Sequence, residues 1–138
     1  MKNDMATIKE IHIAAALIVR SDGRVLLVRK RGTAAFMQPG GKIERGEKPI
    51  AALCRELQEE LNVQVSASAP EYIGKFAAPA VNEPGWTVVA EIFKVHISEP
   101  VSPAAEIAEI IWFQPGQDKG VNLAPLTKDH VLPLLNPV

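Results

Sequence analysis

The stretch Gly40-Gly41-Lys42-Ile43-Glu44-Arg45-Gly46-Glu47, followed after seven residues by Arg55-Glu56-Leu57-Gln58-Glu59-Glu60-Leu61-Asn62-Val63, decides how this chain is read. From Pro49 to about Leu61, Ile50, Leu53, Cys54, Leu57 and Leu61 recur at steps of three and four, which predicts a helix with one apolar stripe. Pro49 suits the first helical position, where its missing N–H is not needed. Asn62 tolerates the left-handed conformation that ends a helix. On that helix Glu56, Glu59 and Glu60 stand at i, i+3 and i+4, so their carboxylates converge on one face. Three like charges repel, which raises the pKa of at least one and makes them titrate as a group. A hard divalent cation offsets that repulsion. Magnesium takes oxygen ligands in near-octahedral geometry and keeps some water, so a few carboxylates plus substrate phosphate oxygens make a reasonable shell. Gly40 and Gly41, without a Cβ, allow the backbone to approach a metal or a phosphate closely. Arg55, one turn before Glu59, is placed to pair with it and orient it.

Outward from this stretch, residues 11–20 are apolar on both alternating faces, as in a strand covered on two sides. Ser21-Asp22-Gly23-Arg24 then separates this run from Val25-Leu26-Leu27-Val28, a hairpin signature that predicts two paired antiparallel strands. After Arg29-Lys30-Arg31, the segment Gln38-Pro39-Gly40-Gly41 reads as irregular loop. Further strands are expected near residues 71–77, 86–97 and 107–113, the first two joined across Asn82-Glu83-Pro84-Gly85. A last helix is expected to start at Thr127 as N-cap and to run through His130, Val131 and Leu134, with Pro133 distorting its final turn. Strands and helices alternate irregularly, which argues for one mixed layered α/β domain over residues 9–138 rather than a doubly wound parallel sheet. Residues 1–8 read as a flexible tail.

Composition sets the outer bounds. A chain of 138 residues with 47% hydrophobic and 22% charged residues is an ordinary soluble globular protein that can bury its own core. Fifteen Lys plus Arg against sixteen Asp plus Glu leave a net charge of -1, which excludes binding of nucleic acid by a bulk basic field. An anionic ligand must be held locally. The single cysteine, Cys54, forms no internal disulfide and fits a reducing cytoplasm. The apolar run at residues 11–19 is too short to span a bilayer and lacks a cleavage pattern, so neither a membrane anchor nor a signal peptide is expected. The oligomeric state stays open between a monomer and a homodimer.

The two halves of the opening stretch together resemble the Nudix box, G-x5-E-x7-R-E-U-x-E-E-x-G-U with U a bulky aliphatic residue. Gly41, Glu47, Arg55, Glu56, Leu57, Glu59, Glu60 and Val63 stand at the required positions, and Asn62 replaces the usual glycine. The six specified Gly, Glu and Arg positions would coincide at a given start with a chance on the order of one in ten million. The resemblance implies the Nudix α/β/α sandwich with a mixed β-sheet between helices. It also implies hydrolysis of a nucleoside diphosphate linked to another group, with water as nucleophile. Magnesium or manganese would be bound by Glu56, Glu59, Glu60 and, as in MutT-type members, the Gly40 carbonyl. Metal at a diphosphate stabilises developing charge and lowers the pKa of an attacking water, which agrees with the reading of the carboxylates. The substrate is a nucleotide-like small molecule whose base and leaving group the box does not specify.

Each of these residues also has a plainer reading. A Glu-rich helix face is usually just solvated; here the complete spaced motif outweighs that. Arg29, at the end of the second strand, resembles a position used for phosphate contact in MutT-type members, although basic residues at strand edges often serve solubility. Glu106 and Glu109 lie where family members supply an extra acid as metal ligand or general base, and the surface reading is favoured for both. Trp86 and Phe36 could stack on a base, but core packing is the commoner use. Cys54 reads as a small buried hydrophobe. His12, His96 and His130 show no ligand spacing. The rival from another class is a Nudix-fold module that binds a nucleotide without cleaving it; the intact carboxylates argue against it. Isomerase chemistry of a related fold lacks support, since Cys54 lies inside the helix.

Overall fold

The computed structural model describes residues 9–98, 100–116 and 120–135, and the expected tail at residues 1–8 lies outside them. Strands β1 (Glu10–Leu17), β2 (Val25–Lys30) and β3 (Gly40–Lys42) precede helix α1 (Pro49–Leu61), and β4 (Glu71–Pro79), β5 (Thr87–Lys94) and β6 (Ile107–Phe113) follow it. The main sheet has the order β3-β1-β5-β4, with β1 parallel to β5 and the other pairs antiparallel; β2 and β6 form a separate antiparallel pair. The sheet is therefore mixed, as expected.

The apolar character of β1 and β2 on both faces follows from what covers them. Ala14, Ala16, Ile18, Leu26 and Val28 pack with Leu53, Leu57 and Leu61 of α1. Their alternates Ala15, Leu17, Val25 and Leu27 pack with Leu126, Val131 and Leu132 near the end of the chain. Helical segments thus lie on both sides of the strands, the α/β/α order. Each fully buried Leu or Ile in these layers contributes about 1.5–3 kcal/mol. The helix begins with Pro49 and ends at Asn62, whose φ of 58° and ψ of 36° are left-handed and whose N–H reaches the Gln58 carbonyl at 3.1 Å. Asn62 thus supplies the left-handed cap expected of it.

Three local expectations are corrected. The Asp22-Gly23 turn forms, with the Arg20 N–H on the Arg24 carbonyl at 2.7 Å, but β1 and β2 do not make the expected hairpin ladder. Pairing stops at the Val19–Val25 bridge, because β1 already has β3 on one edge and β5 on the other, and β2 pairs with β6 instead. Gly40 and Gly41 are not irregular loop: they form β3, opposite Ala15 and Ala14. At Gly40, with φ of 151°, a Cβ would collide with the Ala14 carbonyl, so the absence of a side chain makes the pairing possible rather than preventing it. Thr127 is not an N-cap. The chain is already helical at Leu126, and Thr127 opens a π-helical turn, Thr127–Val131, followed by a 3-10 turn, Leu132–Leu135, that contains Pro133.

Candidate active site

Helix α1 and the edge strand β3 build the site between them. Of the three expected carboxylates, Glu60 is turned inward and is only 4% exposed. Its Oε1 accepts the Gly40 N–H at 3.1 Å, which ties the helix to β3. Burial pushes its carboxyl up to about 7; the Gly40 N–H and the charge of Lys30 oppose the rise, and Glu56 and Glu106 add to it. Glu56 is partly buried, and its carboxylate occupies the space where a Cβ on Gly41 would be. Glu59 is the exposed member.

Arg55 holds the outer side of this face. Its Nε and Nη2 form a fork with Glu47 at 2.8 and 2.9 Å, its Nη1 donates to Glu56 Oε2 at 2.7 Å, and Nη2 also reaches the Lys42 carbonyl at 3.0 Å. The expected partner Glu59 is more distant, at 3.5 Å. Arg55 therefore pairs chiefly with Glu47 and Glu56 rather than with the expected Glu59. The fork is geometrically specific in a way that a single ion pair is not. Arg55, with the Glu44 N–H adding to its effect, holds the Glu47 carboxyl down at about 2, and the guanidinium is in turn raised above its ordinary value by Glu47 first.

Glu56, Glu59 and Glu60 share one face, yet their side chains do not converge. Among the described residues no three His, Cys, Asp or Glu groups are gathered closely enough to hold one ion. Arg55 draws Glu56 aside, the Gly40 N–H fixes Glu60, and Glu59 extends into solvent. The donors nevertheless fit a hard cation, because all are oxygens on adjacent helical turns or at β3. Glu60 makes the fit specific: it is a buried carboxylate with one hydrogen bond and no ion pair among the described residues. Such a group is costly to ionise until a cation stands beside it.

On the other side of β3 lies a cavity of about 150 Å³, lined by Gly40 and Gly41, by Ile13 and Val88 from the main sheet, and by Lys30, Gln38 and Thr127. Lys30 thus faces the cavity and also acts on Glu60. Arg29, the expected phosphate contact, is held differently: its Nε donates to Glu109 at 3.1 Å and its Nη1 to the Thr33 carbonyl at 2.9 Å. Glu109 is accordingly engaged across the β2–β6 ladder, while Glu106 is exposed but close enough to be felt by Glu60. Phe36 packs against the second core layer. Trp86 is exposed in the β4–β5 connection, contrary to the core reading, because the strand it was expected to open begins one residue later. Cys54 is half-buried on α1, and burial raises its thiol pKa.

Sequence reasoning missed the partner of Glu47 and the pairing of Gln38 with Thr127, and it ranked Lys30 below Arg29 as a phosphate contact. Glu47 was a motif position without a partner; in the fold it and the similarly buried Glu56 share Arg55. Lys30 carries no signal that separates it from Arg29 and Arg31 until the strand's facing is known. Gln38 and Thr127 are 89 residues apart and become a pair only in the fold.

A family model described as the NUDIX domain matches residues 10–133. The 8-oxo-dGTP diphosphatase of Proteus vulgaris is 40% identical over 62 residues, covering 42% of this chain and 55% of that protein. The chain thus spans little more than half the length of that relative. The CTP pyrophosphohydrolase of Escherichia coli (strain K12) is 28% identical over 123 residues, 85% of either chain. The crystal structure of the MutT protein from Methanosarcina mazei Go1 superposes with a TM-score of 0.74 over 94% of both chains, at 21% identity, which bears on the fold alone.

Proposed function

The chain belongs to the NUDIX domain family, and on that premise we propose that it hydrolyses a diphosphate linkage in a nucleoside triphosphate or another nucleoside diphosphate derivative by attack of water. The observation that carries the proposal is Glu60. A carboxylate buried beside Lys30, bonded to the glycine backbone that separates α1 from a cavity, is suited to hold a cation against a phosphate chain. The relatives' names support the substrate class, since both specify nucleotides.

Magnesium or manganese, when bound, would stabilise charge developing on the phosphate oxygens and activate the water. Glu56, Glu59, Glu60 and the Gly40 carbonyl are the groups proposed to hold it. Arg55 is a positioning residue: with its fork committed to Glu47 it keeps Glu56 at a fixed place beside Gly41. Lys30 would bind phosphate oxygens from the cavity side. Arg29 retains Nη2 outside its bonds to Glu109 and Thr33 and is proposed as a second, more peripheral phosphate contact.

A panel of nucleotides incubated with purified protein and magnesium, with products identified by mass, tests this reading. The expected outcome is cleavage within the phosphate chain that stops when chelator exceeds metal. Binding of a nucleotide without cleavage would replace the hydrolase by a recognition module, and undiminished turnover in excess chelator would remove the metal from the proposal.

A further inference from the structure

Among the described residues, the positive-φ positions that are not glycine are Asn62, at 58°, and Ala105, at 53°. A side chain makes that conformation costly, so it persists where surrounding contacts impose it. Both residues belong to one connection. Asn62 ends α1, and its Nδ2 donates to the hydroxyl of Ser102 at 3.1 Å, 40 residues further along the chain. The Ser102 N–H donates to the Leu61 carbonyl at 3.2 Å, and the Ala104 N–H to the Glu60 carbonyl at 3.0 Å. At left-handed Ala105 the chain turns, with the Ile107 N–H on the Ala104 carbonyl at 3.1 Å. The Glu106 carbonyl then accepts the Arg31 N–H at 2.8 Å. Residues 102–106 therefore brace the end of α1 against the end of β2.

What the brace holds is the part of the helix that the proposed chemistry uses. The last carbonyls of a helix have no partner within it, and the last turn frays unless other groups take them. In α1 that turn carries Glu59 and Glu60, and the Glu60 and Leu61 carbonyls are taken from the far side of β5 in the sequence. At the other end of the brace, Arg31 follows Lys30, which lines the cavity beside Gly40. Val101, just before the brace, packs against the core layer under α1 and anchors it. Glycine, which the box pattern has at position 62, adopts the left-handed cap more readily than asparagine. It could not reach Ser102. The cap alone does not account for the side chain at position 62, whereas the tie to Ser102 does.

We propose that Asn62 and Ser102 are positioning residues for the hydrolysis: the hydrogen bond between their side chains completes a brace that fixes the last turn of α1, with Glu59 and Glu60, relative to the Lys30 end of β2. Both act through the helix and not on the reacting atoms. The inference rests on the hydrolase reading above and deepens it, since it adds to the box a contact that glycine at position 62 cannot make. The bond lies at the surface, where a single hydrogen bond contributes modestly, so its loss should loosen the turn and leave the fold intact.

The test compares the wild type with Asn62→Gly, Ser102→Ala, the double variant and Ser102→Thr. Hydrogen exchange of the Ser102 and Ala104 amides in metal-free protein reads the brace directly. Their protection should fall by about threefold to tenfold in Asn62→Gly and in Ser102→Ala, the effect of one hydrogen bond, with little further change in the double variant. Ser102→Thr, which keeps the hydroxyl, should retain the protection. The melting temperature of Asn62→Gly should equal or exceed that of the wild type, because glycine suits the cap. Its kcat on a nucleotide that the wild type cleaves should nevertheless fall by a similar factor, with KM little changed. Magnesium titrated alone, followed through the amide shifts of Glu59 and Glu60, should bind more weakly. If Asn62 served only as a cap, Asn62→Gly would keep wild-type protection, kcat and magnesium affinity, and that result overturns the proposal. Lost protection with unchanged kcat and magnesium affinity, or additive effects in the double variant, would overturn it as well. Failure of the hydrolase reading looks different: a wild type that cleaves no nucleotide, in variants that lose protection and magnesium affinity together, would keep the brace and remove the hydrolysis.

Discussion

At the scale of single residues, neighbouring glutamates on one helix turn acquire different physics from what surrounds them. Glu59 is half exposed, with water to solvate its charge. Glu60, one residue later, is 4% exposed and is pushed up to about 7 by burial. Replacement by Gln removes the charge and nearly keeps the shape. If both hold the metal, Glu59→Gln and Glu60→Gln should each lower kcat by roughly a hundredfold or more, as loss of a major electrostatic contributor does. Their effects on the metal-free protein should differ. Gln at position 60 still accepts the Gly40 N–H but carries no buried charge, so its melting temperature at pH 8 should rise. At position 59 it should not change. Near-normal turnover in both variants would exclude the metal site, and equal melting temperatures would contradict the burial argument for Glu60.

At the scale of elements, β3 is three residues long and carries two glycines with separate reasons. A Cβ at Gly40 would strike the backbone of Ala14 and Ala15 across the β1–β3 pairing. The atoms a Cβ at Gly41 would meet first are those of the Glu56 carboxylate, the far end of a flexible side chain. Gly40→Ala should therefore act on stability, lowering the melting temperature by several degrees through lost strand pairing, an effect of about 1–3 kcal/mol. Gly41→Ala should leave melting nearly unchanged and lower kcat by displacing Glu56. Thermal scans and steady-state kinetics on the two variants check this, and a reversed pattern would mean that the backbone, not Glu56, limits position 41. The elements themselves were uneven in legibility. Helix α1 and β6 were readable to their end residues, because periodicity, Pro49 and Asn62 are local signals. Strand pairing was not. The Asp22-Gly23 turn specifies a reversal, whereas the partners of β1 depend on β3 and β5, whose positions are set by packing over the whole sheet. The same limit governs the site. The box placed Glu56, Glu59, Glu60 and Arg55 on one surface, but which glutamate is buried, and that Arg55 turns first to Glu47, depend on where β3 lies.

At the scale of the whole molecule, the buried and exposed acids set a stability profile in which the proposed metal is a variable. Glu47 and Asp22 are each held at about 2 by arginine hydrogen bonds, so their contributions are present above their ordinary carboxylate pKa and are lost as pH falls toward 2. Glu60 has the opposite sign. Its folded pKa, about 7, exceeds its ordinary 4.5, so the folded protein binds the proton more tightly than the unfolded chain. Its contribution is complete below about 4.5 and is lost as pH rises through 7. At about 1.4 kcal/mol per pKa unit, that loss is on the order of 3 kcal/mol. Metal-free protein should thus be most stable between about pH 4 and 5 and should melt earlier at pH 8. A cation beside Glu60 removes the reason for protonation, so magnesium should raise the melting temperature at pH 8 and have little effect at pH 5, where the carboxyl keeps its proton and competes with the ion. In Glu60→Gln the decline between pH 5 and 8 should flatten, and the magnesium effect should shrink with it. Thermal scans of both proteins at pH 3, 5 and 8, with magnesium or with chelator, decide the matter. A metal-free wild type equally stable at pH 5 and 8 would contradict the raised Glu60 pKa, and a magnesium effect that persists undiminished in Glu60→Gln would place the ion elsewhere.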